Sequence, residues 1–257
     1  MSQGSRRRLV IDEDFLFGPV GTGANDYYTH ETGTVKIGQV TFAGVAEGSF
    51  VFTTDEPGGI LAITTDTADD DNNVLIAGPF RPADGAIIGE WRFKFNSSTL
   101  GKVWAGFSET MATGTPVMPS TLEGTTITVN GTGGMAGMYW DSGATDSDFR
   151  AMAGDGGAIS ANSDAIGTRS NQTIAADEWY VVRVEIGTDG SAEYWIGHDN
   201  DAMENVVPTS STTGRIASAV TPGDLFFAVL IFQNSSAAAR VFEVDYFYAE
   251  GQRDWTN

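Results

Sequence analysis

The chain has 257 residues, 41% hydrophobic and 11% aromatic, a globular composition with enough length to bury a sizeable core. Thirty-four acidic against 14 basic residues leave a formal charge of −20 and a pI near 4.2, a surface that repels phosphates and argues against nucleic acid as a partner. The absence of cysteine excludes disulfides, thiolate metal sites and cysteine nucleophiles, and no apolar run of about 18 residues is present to cross a membrane.

The chain opens with Arg6, Arg7 and Arg8 in a row. The apolar stretch that a cleaved leader requires does not follow, so the expectation is a protein used without such export. Residues 1–12 read as a basic N-terminal arm and 13–257 as one domain. On so acidic a chain, an arginine arm can dock on an acidic partner surface through guanidinium–carboxylate forks; the alternative is a solvated terminus.

Strands are expected at 35–40, 49–53, 59–64 and 74–78. Residues 66–73 between them hold Asp66, Asp69, Asp70, Asp71, Asn72 and Asn73. That is the densest oxygen cluster in the chain, and calcium takes six to eight oxygen ligands. Asp66, Asp69 and Asp71 are the calcium candidates, against a plain solvated acidic turn. The EF-hand pattern fails, because counting from Asp69 puts Val74 where glycine is required.

Residues 88–95 alternate: Trp91, Phe93 and Phe95 fall on one face, Glu90, Arg92 and Lys94 on the other. Further strands are expected at 103–107, 125–130 and 135–140, with the glycines of 131–137 marking a bend. Residues 141–172 read as long loops with one short strand near 149–153. Residues 179–186 put Tyr180, Val182, Val184 and Ile186 opposite Arg183 and Glu185; Thr188, Asp189 and Gly190 turn the chain into a partner at 192–196. A short helix is expected near 199–206. Residues 225–232 are apolar on both faces, as in a covered central strand. In 240–248, regular alternation puts Phe242, Val244, Tyr246 and Tyr248 opposite Val241, Glu243, Asp245 and Phe247. The expected fold class is all-β, a two-sheet antiparallel sandwich.

Several stretches resemble a known family. In order they are Gly78-Pro79-Phe80-Arg81-Pro82, Gly89-Glu90-Trp91-Arg92-Phe93-Lys94-Phe95, Trp104-Ala105-Gly106-Phe107-Ser108-Glu109, Glu178-Trp179-Tyr180-Val181-Val182-Arg183-Val184-Glu185, and Phe242-Glu243-Val244-Asp245-Tyr246-Phe247. Together they resemble the concanavalin A-like, laminin G-like and laminarinase-like jelly rolls, in the style found in tailed-bacteriophage virion structural proteins. The resemblance spans roughly residues 45–250. It implies a jelly roll and a non-enzymatic capsid decoration, or cement, role. The implied partner is the major capsid protein or another virion protein, on the capsid surface after assembly in the host cytoplasm. A homo-oligomer is compatible with it.

Laminarinase-like enzymes use two carboxylates on one strand, in the pattern E-x-D-x-x-E or E-x-D-x-E, one as nucleophile and one as acid. Here Glu243 and Asp245 are followed by Phe247 and Tyr248, and on a regular strand Glu250 lies on the other face. No catalytic residue is therefore assigned, and a glycoside hydrolase stands third among the readings. His30 and His198, the only histidines, fall in no triad spacing and read as surface residues. The second reading is a carbohydrate-binding module for host glycans. Its platform candidates are Trp104, Tyr139, Trp140 and Trp195, against a core role for the same rings.

Overall fold

The computed structural model describes residues 8–13, 28–29, 33–37, 40–44, 49–53, 59–65, 67, 72–99, 101–110, 118–123, 126–144, 148–160, 168–172, 174–198, 201–209, 211–235 and 237–252. In chain order the strands are β1 (Arg8–Glu13), β2 (Tyr28–Thr29), β3 (Gly33–Ile37), β4 (Val40–Gly44), β5 (Ser49–Thr53), β6 (Ile60–Thr64), β7 (Asn72–Phe80), β8 (Ile87–Phe95), β9 (Gly101–Ser108) and β10 (Ser120–Glu123). They continue with β11 (Thr126–Val129), β12 (Met135–Asp141), β13 (Arg150–Asp155), β14 (Ala158–Ile159), β15 (Thr168–Arg169), β16 (Tyr180–Ile186), β17 (Ala192–His198), β18 (Glu204–Asn205), β19 (Phe226–Asn234) and β20 (Val241–Gln252).

They build two nine-stranded sheets, both antiparallel. The first runs β18-β17-β16-β8-β20-β6-β5-β2, with β1 also on β20. The second runs β14-β13-β12-β9-β19-β7-β4-β3, with β15 also on β13. Among the described residues, hairpin β10–β11 pairs only with itself. This is the expected sandwich.

Alternation explains how the sheets meet. On β8, Ile87, Gly89, Trp91, Phe93 and Phe95 are buried while Ile88, Glu90, Arg92 and Lys94 are half-exposed. The buried rings of both sheets interlock. Phe95 stacks on Trp140 at 4.6 Å, Phe232 stacks on Phe242 at 4.4 Å, and Trp91 meets Phe247 edge-on at 5.8 Å. β19 is apolar on both faces because Ala228, Leu230 and Phe232 enter the main core while Val229 and Ile231 are buried in a second cluster on the outer face.

Strand β20 departs from the expected alternation. Its register against β8 shifts between Val244 and Tyr246, a bulge that leaves Asp245 as the extra residue. Phe242 and Val244 face the core before it, Phe247 and Ala249 after it. Tyr246 and Tyr248 therefore point outward, contrary to the regular-strand reading, and Glu250 returns to the same side as Glu243.

Three other expectations change. Residues 35–40 are two strands, β3 and β4, paired with Ile37 opposite Val40. The helix expected near 199–206 is absent among the described residues 201–206, where Glu204 and Asn205 form β18 on the edge of β17. The arm expected at 1–12 is a strand from Arg8 onward, because β1 pairs with β20 from Arg8–Gln252 to Glu13–Phe247. Ile11 enters the core from it.

Gly89 shows how closely the layers fit, since a Cβ there would collide with the Trp91 ring and lie 3.1 Å from Phe107. Gly89→Ala is expected to cost about 1–3 kcal/mol by overpacking. Urea unfolding should show a lower midpoint with an unchanged slope.

Candidate functional site

The outer face of the second sheet carries rows of side chains set by the strand registers. At one end Asn72, Gln233, Lys102 and Asp141 lie side by side on β7, β19, β9 and β12. The adjoining row is Val74, Ile231, Trp104 and Tyr139, continued by Arg150 on β13. Beyond it come Ile76, Val229, Gly106, Gly137 and Met152.

Asp141 anchors the polar row. The Tyr139 hydroxyl donates to its Oδ2 at 2.8 Å, and the Gly143 amide donates to its Oδ1 at 2.7 Å. Both bonds hold the carboxylate in one orientation. Asn72, Gln233 and Asp141 are almost covered, at 7%, 6% and 5% exposure. Around the same end, Asn73 and Asn234 are buried on the inner face. The Asn73 carboxamide makes no hydrogen bond. Planar amides, a fixed carboxylate and an ammonium offer alternating donors and acceptors, and Trp104 and Tyr139 back them with apolar surface.

The candidate platform residues do not form one surface. Trp104, Tyr139 and Trp140 are buried. Trp140 points the opposite way from the other two, into the core, because neighbouring residues on a strand alternate faces. Trp195 is half-buried on the outer face of the first sheet, with the Arg183 guanidinium 5.9 Å from its ring. Trp179 was missed by pattern reading: it lies beneath Arg92 at 4.4 Å and Lys94 at 4.9 Å, and only the cross-strand placement of those cations reveals it.

Of the basic cluster, Arg6 and Arg7 fall outside the described residues, while Arg8 is ion-paired with Glu250. Asp66, Asp69, Asp70, Asp71 and His30 also fall outside them. His198 is half-buried, its Nε2 2.6 Å from Glu178 and its ring 5.3 Å from that of Tyr180. Among the described residues no three histidine or carboxylate groups are arranged to hold a metal.

The strand once compared with a catalytic one sits elsewhere. Glu243 is 2.6 Å from Lys94, Asp245 pairs with Arg92, and Glu250 accepts from Arg8 and from the Tyr248 hydroxyl. The bulge thus gathers three carboxylates on one face, yet each is engaged by a cation. That face is the outside of the first sheet, opposite the polar row. Alongside them, Tyr246 donates to Glu90 at 2.6 Å; burial and that bond push its hydroxyl well above the ordinary phenol range. A double-mutant cycle on Lys94 and Glu243 is expected to return a coupling of about 0.2–1 kcal/mol in stability, as for half-exposed pairs. No coupling would detach Glu243 from this structural role.

A cavity of about 350 Å³ opens beside the β16–β17 turn, lined in part by Glu185, Asp189, Ser191, Glu193 and Arg215. Its charges are mutually engaged: Arg215 pairs with Glu193, and Arg183 with Glu185. Ser191 donates to Asp189 from both hydroxyl and amide, holding that carboxyl below its usual range.

No family model matches the sequence, and no curated protein does. Solved structures do match. A protein of unknown function from Shewanella oneidensis MR-1 superposes with a TM-score of 0.55 at 12% identity, over 98% of this chain and 89% of that one. The carbohydrate recognition domain of Emp47p superposes with a TM-score of 0.50 at 12% identity, over 92% of this chain and the whole of that domain. Identities this low speak to fold alone, and the fold is a concanavalin A-like jelly-roll sandwich.

Proposed function

We propose that this domain is a non-enzymatic carbohydrate-binding module whose site is the row Asn72, Gln233, Lys102 and Asp141. The observation that carries the reading is the oriented Asp141 carboxylate, held by Tyr139 and Gly143 and ranked beside two amides and a lysine. Such a set suits vicinal hydroxyls, which need acceptor and donor side by side. The fold it shares with a carbohydrate recognition domain supports the same reading.

A glycan array followed by titration calorimetry tests it. Binding of at least one neutral oligosaccharide is expected. Asp141→Asn should weaken that binding about tenfold or more, the loss of a charge-assisted hydrogen bond of about 1.5–3 kcal/mol. A silent array would end the reading.

A second reading places the domain on a virion as a capsid-decorating subunit bound to the major capsid protein. Its support is the motif resemblance running from Gly78 to Phe247. It is compatible with glycan binding, since a decorating subunit can carry an adsorption site. Mass spectrometry of purified particles should find the chain as a stoichiometric component; its absence there removes this placement.

A further inference from the structure

Hairpin β10–β11 packs on the outer face of the second sheet, and among the described residues its strands pair with neither sheet. Its base is closed by Asn130, whose amide donates to Pro119 at 2.9 Å and whose side chain donates to the Met118 carbonyl at 2.8 Å. Among the described residues, side chains hold the rest down. Met118 and Leu122 are buried with Trp104, Met135, Tyr139, Met152, Val229 and Ile231 in a cluster separate from the main core. Three members of that cluster, Met118, Met135 and Met152, are methionines, which repack easily. Ser120 is fully buried, and its hydroxyl meets the Met152 sulfur at 3.3 Å, a weak acceptor.

Beneath this cover Trp104 lies across β12. A Cβ on Gly137 would stand 2.5 Å from Trp104 Cζ2, so the indole occupies the space that a side chain would fill. The Trp104 Nε1–H is fully buried and has no hydrogen-bond partner. A donor in that state is costly, and a ligand oxygen would relieve it. The ring adjoins Tyr139 in register and stands one row from Lys102 and Asp141.

We propose that the β10–β11 hairpin is a displaceable cover, and that the strip beneath it extends the glycan site. An oligosaccharide would stack one ring on Trp104, accept a hydrogen bond from its indole N–H, and run into the polar row. This rests on the carbohydrate reading and adds to it a chain length greater than one sugar and a closed resting state. Because the cover must lift first, apparent affinity falls by the fraction of molecules that are open.

The test is Leu122→Ala, which removes a buried contact of the cover and leaves Trp104 and the polar row intact. For an oligosaccharide that the wild type binds on the array, calorimetry should show the variant binding about tenfold tighter, despite a lower melting temperature. In parallel, hydrogen exchange on the wild type should show the amides of 121–123 and 126–129 exchanging faster when the ligand is saturating, with β9 and β12 unchanged. Equal or weaker binding by the variant, or ligand-induced protection of the hairpin, overturns the cover and leaves the carbohydrate reading standing. An absence of glycan binding by either protein overturns both. Should the variant fail to fold, the exchange measurement on the wild type decides alone.

Discussion

Strand β20 touches more of the first sheet than any other, and one extra residue sets its phase. It pairs with β8 along one edge and with β6 and then β1 along the other. A strand of twelve residues in strict alternation would put Phe247 outside and Tyr248 inside. The bulge at Asp245 reverses that. It sends Phe247 against Trp91 and turns two tyrosines toward carboxylates that can accept from them. The core layer and the charged outer layer of this sheet both follow from that shift.

The two outer faces are then chemically opposite. On the first sheet, cations bridge adjacent strands: Lys94 reaches Glu243, Arg92 reaches Asp245, and Arg183 reaches Glu90 as well as Glu185 on its own strand. Each pair is weak in water, but the ladder lets a chain of net charge −20 place like charges close together without direct opposition. The second sheet carries an apolar strip on its outer face, where hairpin β10–β11 packs on it. There the apolar strip adjoins a polar row, whereas the first sheet carries the cross-linked charge ladder.

Much of the fold was legible in the sequence because period two leaves a plain trace. Residues 88–95, 180–186 and 226–232 appear where alternation or a continuous apolar run predicts them. The bulge was not legible, because an inserted residue preserves composition and is expressed only in the partner strand's register. Short edge strands such as β14, β15 and β18 escaped for a related reason: two residues carry no period. The site was legible in part. Trp104 and Tyr139 were candidates, and they do adjoin the polar row, but covered. Asp141, Gln233 and Lys102 come from three strands separated in sequence, and no local pattern unites them.

Arg8 lies directly opposite Gln252, so the two ends of the described residues lie side by side on neighbouring strands. A domain with adjacent ends can be spliced into a loop of another protein without prising that loop apart, and its own ends can be joined and reopened elsewhere. Evolution and engineering could both exploit this. The sandwich could serve as a removable cassette, moved between chains with both sheets intact.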